Sequence, residues 1–307
     1  MGDATTATAT ATTVTGPPEI EPTACGTRLS VLHRTSFFYA SSVTLSVNTL
    51  RLEPRTFPYQ KTLAALIRVV PATRLRRFAD LFQNFTHHFE LPEPHLKLEI
   101  ESRIRVHNLP LIIPPTALVA TGEEDAGDPA VRERIWPFLQ DSNRVSQLPD
   151  VWRQAVDVTY GLTAVFDKAK ALMDWIHHNF QYEPGATGVK AHLSESFAIK
   201  RGVCQDFTHV MLGMCRAVGM PARYASGYLY NGPKDSLVGA QASHAWCEVY
   251  LPTGGWIGFD PTNNTLADER YVKIAIGRDY DDVAPVIGSY RGTGHCRMEI
   301  RVEVEKI

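Results

Sequence analysis

A glycine, a cysteine and an amphipathic run stand together at residues 202–218, and no other stretch constrains the fold as strongly. From Cys204 the apolar residues Phe207, Val210, Met211, Met214, Cys215 and Val218 recur at helical spacing, so one face belongs to a core. Gly202 breaks the chain before this helix, and Gly219-Met220-Pro221 ends it with a glycine exit and a proline that cannot continue it. Cys204 is therefore predicted in the first turn, where unpaired N–H groups and the helix dipole favour negative charge. A thiol in that position is either a usable nucleophile or a small buried hydrophobe.

The residues downstream bear on that choice. Three strands are predicted after the helix, at 222–230, 244–251 and 256–260, the last two joined through Pro252-Thr253-Gly254-Gly255 as a hairpin. His244 opens one hairpin strand and Asp260 closes the other, and a thiol nucleophile needs such a base with an orienting carboxylate. His244, Trp246, Glu248 and Tyr250 share a face. If Tyr250 pairs with Trp256, Asp260 falls opposite Trp246 and diagonal to His244 on that same face, within side-chain reach. A one-residue slip would separate the two.

Upstream, residues 28–107 read as strands broken by turns. Runs at 29–39, 43–52 and 63–70 carry β-branched and aromatic residues, and 75–89 is consistent with a hairpin near Gln83-Asn84 or a short helix. From 96 to 106, Leu96, Leu98, Ile100, Ile104 and Val106 alternate with charged residues, as in a half-buried antiparallel strand. The resulting division is a disordered tail at 1–27, a β-rich, sandwich-like domain at 28–107, and a connector with short helices at 108–160 that includes an acidic loop at 122–127. An α+β core follows at 161–268, opened by a helix from about 163 to 179, then an extension at 269–307 ending in an alternating strand. That strand should pair within a sheet.

The net charge of -2 gives no global case for nucleic acid or anionic membrane binding, and no apolar run reaches the ~18 residues of a membrane span. Five scattered cysteines argue against a disulfide framework and a zinc knuckle, so a cytoplasmic protein is expected. His87-His88 and His177-His178 diverge on a strand or helix and are expected to be solvated; Cys215 and Cys247 are expected in the core. Arg74–Arg77 fit an exposed strand face, and Gly292-Thr293-Gly294 lacks the strand-to-helix context of a nucleotide loop.

Four motifs in order resemble the bacterial transglutaminase-like family: Gly202-Val203-Cys204-Gln205-Asp206-Phe207-Thr208-His209, Gly219-Met220-Pro221-Ala222-Arg223-Tyr224, His244-Ala245-Trp246 and Gly258-Phe259-Asp260-Pro261-Thr262-Asn263. Phe180–Thr187 fits as well, and Leu50-Arg51-Leu52-Glu53-Pro54 resembles the β-rich domain that precedes the family's core. The resemblance implies a papain-related core with a Cys-His-Asp triad at Cys204, His244 and Asp260. It implies hydrolysis of an amide bond in a peptide or protein substrate through an acyl-enzyme, with no metal or organic cofactor. Acyl transfer to an amine and a non-catalytic peptide-binding module are the alternatives. The oxyanion would be met by the Cys204 N–H, with Gln181, Tyr182 and Gln205 as candidate second donors. Trp246 would pack over the catalytic pair, and Asp206 and His209 would be buried hydrogen-bonding residues. Unlike the animal cross-linking enzymes, the chain has Gln205 where a tryptophan would follow the cysteine, and no dense acidic cluster for calcium.

Overall fold

The computed structural model describes residues 26–122, 128–232 and 243–307. The expected tail up to residue 25 and residues 123–127 of the acidic loop thus lie outside the described residues, while Thr27, expected in the tail, opens the first strand. The chain begins with β1 (Thr27–Glu53), β2 (Gln60–Val70), β3 (Arg76–Ala79), β4 (Phe85–Leu91) and β5 (His95–Asn108). The two runs expected at 29–39 and 43–52 form one long strand. It bends where its register shifts between Phe38 and Val43, and Leu45 takes a positive φ of 49°. The bend lets β1 serve two sheets: its first half pairs with β5, and its second half pairs with β4. Their inner faces meet in a core of Leu50, Leu52, Phe89, Leu98 and Ile100, the sandwich-like arrangement that alternation along each strand dictates. The 75–89 stretch is the hairpin β3–β4, with Gln83 at φ 63° in its turn.

Helices α1 (Pro115–Val119), α2 (Pro129–Ile135) and α3 (Pro149–Thr159) follow. The last packs on the helix that begins at Cys204 and so belongs to the core's helical layer, not to a connector. Next come α4 (Val165–Asn179), β6 (Gln181–Tyr182), α5 (Leu193–Ile199), β7 (Arg201–Gly202) and α6 (Cys204–Ala217). Helix α6 stops in a Schellman turn: Gly219 takes φ 78°, and Met220 N–H reaches the Cys215 carbonyl at 2.9 Å. After it run β8 (Ala222–Leu229), β9 (His244–Leu251), β10 (Gly255–Asp260), β11 (Thr265–Leu266) and β12 (Tyr271–Gly277). They form an antiparallel sheet in the order β11-β10-β9-β8-β12. One face of this sheet packs on α6 through Cys247, Val249, Ala222 and Tyr224; Cys215 and Cys247 are buried there.

Residues 269–307, expected as a single extension, divide between the two units. Strand β12 closes the antiparallel sheet, α7 (Tyr280–Val283) follows, and β13 (Val286–Arg291) and β14 (Cys296–Lys306) return to flank β1. The terminal strand is therefore paired, at an edge of the N-terminal sheet. Its apolar alternation is only partly buried: Val302 and Val304 pack inward, whereas Met298 and Ile300 stay exposed.

Candidate active site

Helix α6 presents Cys204 at its first position, and local chemistry fixes that position from both sides. Asp206 turns back from the third helical residue. Its Oδ2 accepts the Val203 N–H at 2.9 Å and the Thr187 hydroxyl at 2.7 Å, the returning half of a capping box. Burial raises the Asp206 carboxyl's pKa, and these two donors oppose the rise. Gly202 is required by this turn, because a Cβ there would lie 2.4 Å from Asp206 Oδ2. On the other side β6 runs parallel to β7, with Tyr182 beside Gly202 and the Glu183 N–H on the Gly202 carbonyl at 2.8 Å.

The hairpin positions His244 and Asp260. Tyr250 pairs with Trp256 and Cys247 with Phe259, which places Asp260 opposite Trp246 and on the face of His244. His244 Nε2 donates to Asp260 Oδ2 at 2.7 Å, with both side chains fully buried. Oδ2 also accepts Tyr271 O–H at 2.8 Å and Asn263 Nδ2–H at 2.8 Å, while Oδ1 takes the Thr262 N–H at 2.9 Å. Burial alone would raise the Asp260 carboxyl; His244, Asn263 and Tyr271 outweigh it and hold it below its ordinary value. Burial likewise opposes charge on His244, yet Asp260 first and Cys204 second raise the imidazole to about 10. The second ring nitrogen, Nδ1, is buried with no hydrogen-bond partner among the described residues. With Nε2 occupied by the carboxylate, Nδ1 is the atom left to exchange a proton with the Cys204 thiol.

The surroundings are aromatic. Trp246 stacks on His244 at 6.3 Å between centroids and meets Tyr271 edge-on at 5.3 Å. It fits because Gly227 and Gly258 flank the indole, where added Cβ atoms would come within 2.9 Å and 3.0 Å of it. Burial and then the charge of Cys204 raise the phenols of Tyr182 and Tyr224. Burial, Asp281 and Cys204 do so at Tyr280, so all three phenols stay protonated. His209 accepts the Tyr280 N–H at 3.2 Å; burial and nearby Arg216 push it down to about 3, leaving it a neutral acceptor that ties α7 to the nucleophile helix.

Of the side chains expected as second oxyanion donors, Tyr182 is electrostatically coupled to Cys204. Gln205 Nε2 is instead engaged with the Val189 carbonyl at 2.9 Å, and the Gln181 side chain is exposed. His87, expected in solvent, is buried 3.2 Å from Glu53. Among the described residues no group of three or more His, Cys, Asp or Glu side chains could hold a metal ion. Sequence reading gave no role to Asn263, Tyr224, Tyr280 or Tyr271. The first two stand inside the recognised motifs, Asn263 in the one that holds Asp260. Tyr271 and Tyr280 lie on elements whose sequence carried no motif.

Residues 153–261 match the model of the transglutaminase-like superfamily, and residues 29–107 that of the bacterial transglutaminase-like N-terminal region. An uncharacterized protein of Mycobacterium leprae is 33% identical over 296 residues, covering 91% of this chain and 99% of that one. A protein-glutamine gamma-glutamyltransferase of Pseudomonas aeruginosa is 32% identical over 154 residues, 48% of this chain and 22% of the other. The crystal structure of a candidate cysteine protease from Cytophaga hutchinsonii superposes with a TM-score of 0.75 at 22% identity, covering 92% of each chain.

Proposed function

Because the chain belongs to the bacterial transglutaminase-like family, we propose that it is a cysteine hydrolase that cleaves an amide bond of a peptide or protein through an acyl-enzyme on Cys204. The observation that carries this reading is the buried His244–Asp260 bond at 2.7 Å, with Nδ1 unpartnered and the thiol at the start of α6 acting on the ring. In this mechanism Asp260 fixes the imidazole with one proton on Nε2, and Nδ1 holds the thiol's proton, as an imidazolium, while the sulfur adds to the amide carbonyl. The oxyanion is met by the Cys204 N–H and the protonated Tyr182 phenol. Nδ1–H then protonates the leaving amine, and water, deprotonated by the same nitrogen, releases the acid. Charge is conserved at each step without a metal or an organic cofactor.

Transfer of the acyl group to an amine uses the same intermediate, and the similarity to the Pseudomonas aeruginosa transferase supports it as the second reading. Gln205, a polar residue where the animal cross-linking enzymes have a tryptophan after the cysteine, favours water as acceptor. The deciding experiment incubates the full chain with a peptide library, with and without methylamine, and identifies products by mass spectrometry. Carboxylate products that persist in amine, and vanish in Cys204→Ala, support the hydrolase. Predominant amine adducts overturn it in favour of transfer. Absence of any acyl-enzyme on a reactive Cys204 would favour a peptide-binding module.

A further inference from the structure

A cavity of about 790 Å³ lies between the N-terminal domain and the outer face of the catalytic sheet, a volume suited to a small organic molecule. Neither Cys204 nor His244 lines it, so it is separate from the acyl-transfer cleft. A buried charge cluster forms part of its wall: Glu248 accepts from Arg223 Nε at 2.7 Å and from Lys273 Nζ at 2.5 Å. Arg55 is a third cation, 5.1 Å from the centroid of Phe57, the ring that Lys273 also covers at 4.2 Å. The other nearby carboxylates are taken: Asp80 by Arg51 at 3.0 Å and Asp268 by Arg270 at 2.7 Å. Glu133 and Arg134 are adjacent at the exposed rim and opposite in sign.

Three cations therefore surround one carboxylate, an excess of two positive charges beside apolar walls, where uncompensated charge is costly. Burial lowers the proton affinity of Arg55, Arg223 and Lys273, and repulsion from Arg55 adds to the drop at the latter two. Two donors on the lining residues have no partner among the described residues: Arg55 Nε and Trp246 Nε1, the latter on a side chain 1% exposed. Unmet donors and surplus positive charge call for an anionic acceptor, and Leu81, Leu109, Leu111 and Ile135 along the wall call for an apolar body.

We propose that this cavity binds an organic carboxylate with an aromatic or aliphatic body, its anion on the Arg55–Lys273 side. This site does not depend on the acyl-transfer reading.

Isothermal titration calorimetry on the full chain carrying Cys204→Ala, which blocks covalent chemistry, tests the site with phenylacetate, phenylacetamide and inorganic phosphate. The expected result is saturable one-to-one binding of phenylacetate, at least about tenfold tighter than either of the others. Arg55→Gln, a change on a partly exposed loop, should weaken phenylacetate at least about tenfold. Lys273→Met, which leaves Arg223 and Glu248 as a one-to-one pair, should do the same, with circular dichroism verifying that both variants are folded. Equal affinity for acid and amide, equal affinity for inorganic phosphate, unchanged binding by folded Arg55→Gln, or no heat with phenylacetate at about 10 mM would each overturn the proposal.

Discussion

Asp260 Oδ2 accepts three side-chain donors, from His244, Tyr271 and Asn263. Such a carboxylate is both held ionised and fixed in direction. Tyr271→Phe removes one charge-assisted bond, worth about 1.5–3 kcal/mol, so kcat should fall about tenfold or more with KM little changed. Because Tyr271 acts through Asp260, its effect should disappear in an Asp260→Asn background; additive losses in that double-mutant cycle would refute a positioning role. The imidazole's raised pKa also predicts a stability profile. A histidine protonated in the folded state up to about 10, but only to about 6.5 when unfolded, stabilises fully below the lower value. That contribution is lost as pH rises through the upper one. In Cys204→Ala, which removes the thiol and with it part of the upward shift, the thermal midpoint should fall as pH rises above about 6.5. Adding Asp260→Asn removes the larger cause of the shift, and with it that fall. Parallel pH profiles for the two proteins would contradict the assignment.

At the scale of elements, the nucleophile depends on how α6 begins. The Asp206 cap and the close approach of Gly202 make one unit, so Gly202→Ala must displace the carboxylate from the Val203 N–H. Loss of such a cap costs about 1–2 kcal/mol. Alkylation of Cys204 by iodoacetamide should slow as the first turn frays; an unchanged rate together with unchanged stability would show that the cap does not hold the cysteine. The β9–β10 hairpin is the second such unit, since a single register serves both the buried apolar face and the His244–Asp260 bond. Strand β5 follows its alternation with two departures: Leu96, expected on the apolar face, is 59% exposed, and Glu101, expected on the charged face in solvent, is buried between Arg34 and Arg103. The two arginine side chains cover the carboxylate, and the ion pairs make its burial tolerable.

Across the whole molecule, β12 is an edge strand whose backbone groups need partners. The N-terminal domain provides them with amide side chains. Gln60 bonds both the N–H and the carbonyl of Lys273, at 2.8 and 2.7 Å, and Asn84 does the same for Ile276, at 2.9 and 2.8 Å. Asn108 Nδ2 donates to the carbonyls of Glu269 and Tyr271, each at 3.0 Å. The first domain thus clamps the strand that carries Tyr271 and, through it, Asp260. Gln60→Ala leaves two backbone groups unpaired and should cost about 2–4 kcal/mol. Hydrogen exchange should show the Lys273 amide losing protection while the α6 amides keep theirs; retained protection at Lys273 would show that the clamp is dispensable.

What could be read from the sequence was what local chemistry fixes. Helical spacing after Cys204 and the glycine exit at Gly219 define α6, and strand alternation with a short turn defines the β9–β10 register. Those two units suffice to nominate Cys204, His244 and Asp260, because each stands at an element boundary that a single period locates. Tyr271 carried no such signal: its partner Asp260 lies across a connection that no local pattern predicts, and β12 is short and buried on both sides. The return of β13 and β14 to β1, and the amide clamp on β12, were likewise beyond a local reading. An alternating strand or a polar glutamine states that it needs a partner, not which one. The identity of the partner was decided by tertiary structure, which alone brings Gln60 within hydrogen-bonding distance of Lys273 across 213 residues of chain.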